Sequence, residues 1–366
     1  MLTYTGLRRE RVFASPQYRN GVFQNAELTT MGGMSWPIMR DFFFDGKSRA
    51  PSAPLPLESP LAAWKRPAAT GLRTTWLGHS TMLLEIDGMR ILTDPVFGKR
   101  ASPVPIGGTR LHPPPITFDE LPPIDIVLLS HDHYDHLDAG TIAKIAARRW
   151  PIVTSLGVGA RLEKMGVDPS LIVELDWWEA LNTMGGSLSF MAVPSRHFSG
   201  RGLGDRNQTL WSSWVIETDS HRVFFSGDTG LHSQFAEIAE RCGPFDLTML
   251  EIGASNPAWH AIHLGPTNAL KAFEQLGGGT LLPIHWATFD LALHKWDEPA
   301  ETLVQLATES GARVLTPRIG QPIEPADEAG PTPWWRGLRS PRPISAATNN
   351  VSSLAGWGST PQVEHS

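Results

Sequence analysis

The chain has 366 residues, a net charge of −6 and an ordinary apolar content of 41%. That length suits one large domain or two small ones. The acidic balance and scattered basic residues exclude a nucleic-acid-binding surface. No stretch reaches the roughly 18–20 apolar residues that a membrane-spanning helix needs. The single cysteine, Cys242, excludes an internal disulfide framework and a thiolate zinc cluster, and it reads as a small buried residue. The N-terminal segment has no signal-peptide core, so a cytoplasmic protein is expected, with peripheral contact at a membrane left open.

Residues 1–70 are rich in Pro, Gly and isolated aromatics and read as an N-terminal arm packed on a main domain spanning 71–325. Within that domain, Thr74–Leu77, Met82–Ile86 and Arg90–Thr93 read as short strands, with a turn at Asp87-Gly88. Ile124–Leu129 is an apolar run typical of a buried strand. Asp138 is placed to cap the helix that follows, in which Ile142, Ile145 and Ala146 share a face. Ile152–Thr154 begins another strand and Arg161–Met165 sits in a short helix. Leu188–Val193, Trp211–Glu217, Arg222–Ser226, Leu247–Ile252 and Leu281–Ile284 follow as strands, with helices at Phe235–Arg241 and Pro266–Leu276. The last 41 residues, 326–366, read as a disordered tail. The sequence holds 14 Trp against 3 Tyr, and Trp177, Trp178, Trp211 and Trp214 read as core filling.

The richest chemistry lies in IDIVLLSHDHYDHLD, residues 124–138. An apolar run delivers His131, His133, Asp135 and His136 to its end, within six positions. Three imidazoles and a carboxylate at that density make a metal site, with room for two ions. His197, Asp228 and His285 also lie just past apolar runs, where strand ends on one rim of a sheet converge. Together the seven residues fit the ligand count of a two-zinc site with a bridging water. Asp228, in FFSGDTG, suits a bridging carboxylate. Such a pair of ions acidifies a bound water and polarises the bond under attack, which implies hydrolysis.

SHDHYDHLD resembles the signature of the metallo-β-lactamase superfamily. WLGHSTMLLEIDG (76–88), LTDPVFGKRASP (92–103), ELDWWE (174–179), FFSGDTG (224–230) and PIHWATFDLA (283–292) further resemble the branch of phospholipases D that hydrolyse N-acylphosphatidylethanolamine. LWSSW (210–214) and GPFDLTMLEIGA (243–254) extend that match across about 76–300, and SPQYRNGVFQN (15–25) matches more weakly. The resemblance implies an α/β fold, a four-layer αββα sandwich. It implies two zinc ions (Zn2+) per chain, one on His131, His133 and His197 and the other on Asp135, His136 and His285, with Asp228 bridging. Asp228 and Asp135 then belong to the catalytic set. Asp94 would orient ligand loops without binding metal. His263 matches a histidine near the substrate head group and joins the catalytic and substrate-binding residues. Arg201 matches a basic position that would grip a phosphate bidentately. His79 and Ser80 are expected in structural or orienting roles. The resemblance also makes a dimer plausible. The NPAWHAI segment (256–262) agrees with the branch only loosely.

The leading expectation is a dinuclear zinc phosphodiesterase of phospholipase D type, taking a phospholipid or another small molecule through an entrance rich in Trp, Met and Phe. The alternative is a lactonase or other carboxylic ester or amide hydrolase of the same fold, in which the metal stabilises an oxyanion. A metal-binding scaffold without activity would carry a damaged ligand set, and all seven residues are present.

Overall fold

The structure is a computed structural model describing residues 2–29, 49–104, 107–202, 204–254, 256 and 260–338. Helix α1 (Gly6–Ala14) and a hairpin of β1 (Tyr18–Arg19) and β2 (Val22–Phe23) open the chain. Strands β3 (Leu72–Gly78), β4 (Thr81–Ile86), β5 (Met89–Thr93), β6 (Ile126–Leu129), β7 (Ile152–Ser155) and β8 (Ile172–Leu175) build most of a first sheet. A second sheet holds β9 (Ala180–Thr183), β10 (Leu188–Val193), β11 (Ser213–Thr218), β12 (Arg222–Phe225), β13 (Leu247–Glu251) and β14 (Leu281–Ile284). β15 (Pro322–Ile323) returns to the first sheet, whose order is β15-β3-β4-β5-β6-β7-β8; the second runs β14-β13-β12-β11-β10-β9. Among the described residues, five further segments are α-helices: α2 (Ala139–Arg148), α3 (Gly159–Lys164), α4 (Gln234–Cys242), α5 (Gly265–Gln275) and α6 (Glu298–Ser310).

Alternation along the strands assigns the layers. In β4, Met82, Leu84 and Ile86 pack with residues of the second sheet such as Phe190, Trp214 and Met249. The intervening Leu83 packs instead with Ile142 and Ile145 of α2. β6 repeats the pattern, with Ile126 and Leu128 on one side and Val127 and Leu129 on the other. Strands buried on both faces read as unbroken apolar runs, which is why these segments lack a polar alternation in sequence. Phe235, Ile238, Phe273 and Leu303 place α4, α5 and α6 in the cluster of the second sheet. The result is the αββα sandwich.

Local signals act as expected at several points. The Asp138 carboxylate accepts from the Thr141 N–H and hydroxyl at the start of α2. Asp87 and Gly88 both adopt positive φ, 45° and 85°, as a tight turn between β4 and β5 requires. Trp177, Trp211 and Trp214 are buried core residues.

Several elements depart from the sequence reading: it assigns no strand at β1, β2, β8, β9 or β15, and three further segments differ. The arm contains helix α1, tied to the core by Arg8, which pairs with Glu163 and Glu174. α6 carries Ala300, Leu303, Val304 and Ala307 at helical spacing and buries all four, yet the sequence reading assigns no element there. The expected disorder from residue 326 is corrected for its first part. Trp334 and Trp335 lie in a 3-10 turn, Trp334–Leu338, and are buried against Trp286 with ring centroids 5.6 and 5.3 Å away. Two large aromatics outweigh the Pro-rich, polar composition around them. The rest of the tail, from residue 339, lies outside the described residues.

Candidate metal centre

Topology makes the convergence of distant residues unavoidable. β10, β12, β13 and β14 run in the same direction, since β11 is antiparallel to β10 and β12 while β12, β13 and β14 are mutually parallel. Their C-terminal ends therefore share one rim. His197 follows β10, Asp228 follows β12 and His285 follows β14 directly. The loop after β6, in the first sheet, brings His131, His133, Asp135 and His136 to the same rim.

Side-chain ligand atoms gather in three overlapping groups, each with all its atoms within 4.8 Å of one another. His131, His133, His197 and Asp228 form one. His79, Asp135, His136 and His285 form another. Asp228, His263 and His285 form the third. Asp228 spans the centre: its Oδ2 is 3.1 Å from His136 Nε2 and 3.6 Å from His197 Nε2, and its Oδ1 is 3.1 Å from His285 Nε2.

The surrounding hydrogen bonds fix which ring nitrogens face inward. Asp94 accepts from the Ser130 N–H at 2.7 Å and from the Ser130 hydroxyl at 2.6 Å. With its proton committed there, Ser130 Oγ accepts from His131 Nδ1 at 2.9 Å. Asp94 also accepts from His136 Nδ1 at 2.7 Å. The Ile262 carbonyl accepts from His197 Nδ1 at 2.8 Å. Three imidazoles are thereby held as Nδ1–H tautomers, each with an Nε2 lone pair aimed at the centre. His136 Nε2, His285 Nε2 and Asp228 Oδ1 are buried and make no hydrogen bond. Their approaches of 3.1 Å lack hydrogen-bond direction. Buried lone pairs and carboxylates that converge without donors between them are the donor set of a cation site.

The charge environment divides the histidines into two sets. Burial, reinforced by His136, His133 and His197, holds His131 well below the usual histidine range. Burial also lowers His133, and it holds His197 well down. His79 falls to about 3 through burial and the neighbouring His285. His285 goes the other way: burial opposes its charge, but Asp228 and Asp135 push it up to about 10. His136 likewise rises well above its usual range, against burial, because Asp228, Asp135 and Asp94 face it. Positive charge is thus favoured at the two imidazoles that touch both carboxylates.

The backbone around the rim is constrained. His79, Asp94, Ala254, His285 and Ala287 all have positive φ, between 33° and 65°. A Cβ on Gly253 would lie 1.8 Å from the His285 carbonyl oxygen, so only glycine fits beside that residue.

Two substrate-side expectations fare differently. His263 stands at the rim, with its ring centroid 5.1 Å from that of His197 and 5.4 Å from that of His285. Arg201, expected to grip a phosphate, is engaged by the protein itself. Its Nη1 donates to the carbonyls of Asp132 and Leu137, both at 2.7 Å, and its guanidinium stacks on Tyr134 at 3.9 Å. Those contacts brace the histidine-rich loop from both ends. A small pocket of about 20 Å³, with room for about one water, lies beside His79 and His285 and is lined by Leu111, Trp286, Phe289, Leu291 and Trp296. Three residues of NPAWHAI, 257–259, lie outside the described residues.

The profile of the β-lactamase superfamily domain matches residues 89–286. The chain belongs to the β-lactamase superfamily. It is a hydrolase of the metallo-β-lactamase fold, a fold that implies a divalent metal. Among relatives of this superfamily member, an uncharacterized protein of Mycobacterium tuberculosis is 45% identical over 331 residues, 88% of each chain. N-acyl-phosphatidylethanolamine-hydrolyzing phospholipase D 1 of Caenorhabditis elegans is 32% identical over 327 residues, 83% of this chain and 91% of its own. An isothiocyanate hydrolase from Delia radicum gut bacteria shares the fold, with a TM-score of 0.58 at 20% identity, over 69% of this chain and 98% of its own.

His79, expected in a structural or orienting role, has its Nε2 3.0 Å from Asp135 Oδ2. Glu251 and Asn25 escape the sequence reading. Glu251 ends the apolar run of β13 as other site residues end theirs, which is the signal that could have found it. Asn25, in the arm, accepts from the His197 N–H at 3.0 Å and donates to the His197 carbonyl at 2.8 Å. Nothing in the local sequence links residues 172 positions apart.

Proposed function

We propose that this chain is a dinuclear zinc phosphodiesterase of phospholipase D type, acting on N-acylphosphatidylethanolamine-like lipids. The observation that carries the reading is the convergence of seven ligand-type side chains, supported by the 32% identity to the worm phospholipase over 83% of this chain. His131, His133 and His197 would hold one ion and Asp135, His136 and His285 the other, with Asp228 between them. Two zinc ions so held would supply a water acidified to near neutral pH and positive charge against the phosphoryl oxygens. The protein's own contribution is orientation. Asp94 and Ser130 lock two imidazoles, Asn25 holds the His197 peptide, and Arg201 braces the loop carrying four of the seven. Water adds to phosphorus, the P–O bond to the ethanolamine oxygen breaks, and the alcohol leaves with a proton from that water.

Residues 71–325 form the proposed catalytic unit, with 1–70 as its arm. Among the described residues no helix is long and apolar enough to cross a membrane, so contact with a lipid surface would be peripheral.

The test is direct. Purified protein loaded with zinc is incubated with N-acylphosphatidylethanolamine, and products are followed by mass spectrometry, with a parallel panel of lactones. Release of N-acylethanolamine and phosphatidic acid, abolished in Asp228→Ala, is the expected result. Turnover of lactones with none of the lipid would replace this reading by the ester-hydrolase alternative.

A further inference from the structure

Glu251 is fully buried, at 0% exposure, on the last position of β13. A buried carboxylate is costly unless its partners repay it. Its Oε1 accepts from the Leu264 N–H at 2.9 Å, faces His263 Nδ1 at 3.0 Å and takes a longer 3.4 Å approach from the Thr229 N–H. Thr229 follows Asp228, and Leu264 precedes α5. One oxygen therefore joins the Asp228 loop, the His263 loop and the start of a helix.

We infer that Glu251 is a positioning residue that makes His263 an acceptor at the reacting centre, a role that rests on the hydrolase reading above. The carboxylate can only accept, so His263 Nδ1 must carry the proton. Nε2 is left with a lone pair. His263 contributes a ring nitrogen to the group it forms with Asp228 and His285, and its side chain keeps 11% exposure, so it meets both the centre and solvent. An acceptor there orients the attacking water by taking a hydrogen bond from it, which aims the oxygen's lone pair at the scissile bond. The backbone agrees with a fixed loop. A Cβ on Gly230 would lie 2.1 Å from the Ala261 carbonyl oxygen, so the Asp228 and His263 loops touch without slack.

The experiment combines a tautomer measurement with kinetics. In protein labelled with 15N-histidine, the His263 ring resonances should report the neutral Nδ1–H tautomer. Glu251→Leu should shift them toward the Nε2–H tautomer, whereas Glu251→Gln, which keeps a carbonyl acceptor, should leave the wild-type state dominant. With bis(p-nitrophenyl) phosphate as probe, Glu251→Leu should lower kcat about 100-fold with KM little changed. Glu251→Gln should restore kcat to within a few-fold. In a His263→Ala background, Glu251→Leu should cost nothing further, because the two act as one unit. Losses that multiply in the double variant, or an unchanged tautomer in Glu251→Leu, would overturn the inference. If Glu251→Leu does not fold, a Glu251→Gln enzyme that has lost the Nδ1–H tautomer overturns it equally. The tautomer result stands apart from substrate choice, so a protein that cleaves no phosphodiester refutes the proposed function without touching the Glu251 assignment.

Discussion

At the scale of single residues, the centre depends on groups that never meet a substrate. Asp94 is fully buried and serves three donors: the Ser130 N–H, the Ser130 hydroxyl and His136 Nδ1. Burial raises its carboxyl, and His136 and Ser130 oppose that rise. Asp94→Asn keeps the shape but replaces one acceptor oxygen with an NH2 group. Whichever way the amide turns, a donor then faces a donor, and either Ser130 or His136 loses its lock. Zinc affinity should fall about 10- to 100-fold, the usual effect of removing a partner that orients a ligand. Competition with a chromophoric chelator measures it; an unchanged affinity would show that the imidazoles are oriented without Asp94. The seven candidate ligands were legible because each stands at or just beyond an apolar run, a pattern a strand end produces by itself. His79 was less so: its place beside Asp135 follows from how the β3–β4 turn docks on another loop, which no spacing in the chain encodes.

At the scale of elements, the central strands were readable, while the edge strands β8, β9 and β15 and the arm were not. β10 and β14 appear in the sequence with the limits they have in the fold: β14 is buried along its whole length, and β10 buries Leu188, Phe190, Ala192 and Val193 between half-buried positions. α1 offers only Val12 as a buried residue, too little for a periodicity. Its segment is nevertheless attached to the site through Asn25. The Asn25 side chain pairs with both backbone groups of His197, as a neighbouring strand would, and its Oδ1 also accepts from Trp211 Nε1 at 3.0 Å. Asn25→Ala strands these groups in a partly buried place, at about 1–3 kcal/mol for an unsatisfied donor or acceptor. Chemical denaturation should show that loss, and zinc titration should show weakened binding of one ion, the one assigned to His197. Equal weakening of both ions would mean that the arm supports the whole rim and not this loop alone.

At the scale of the whole molecule, the far end of the described chain closes the core directly behind a candidate ligand. Trp286 follows His285 and stacks on Trp76, with centroids 5.0 Å apart, and Trp334 and Trp335 pack on its other sides. Each of those two also satisfies its indole N–H: Trp334 donates to the Pro317 carbonyl at 3.2 Å and Trp335 to Glu301 of α6 at 2.8 Å. Removing a buried Trp typically costs about 3–5 kcal/mol, against a total stability of roughly 5–15 kcal/mol. A chain ended after Leu338 keeps both indoles and serves as the reference for a shorter one. A chain ended after Thr332 loses both indoles and should melt far lower or aggregate, with His285 released along with Trp286. Trp335→Ala, the milder change, should lower the melting temperature while zinc binding persists. Thermal unfolding of the three variants decides it: a chain ended after Thr332 with unaltered melting would mean that the Trp286 cluster closes without the tail.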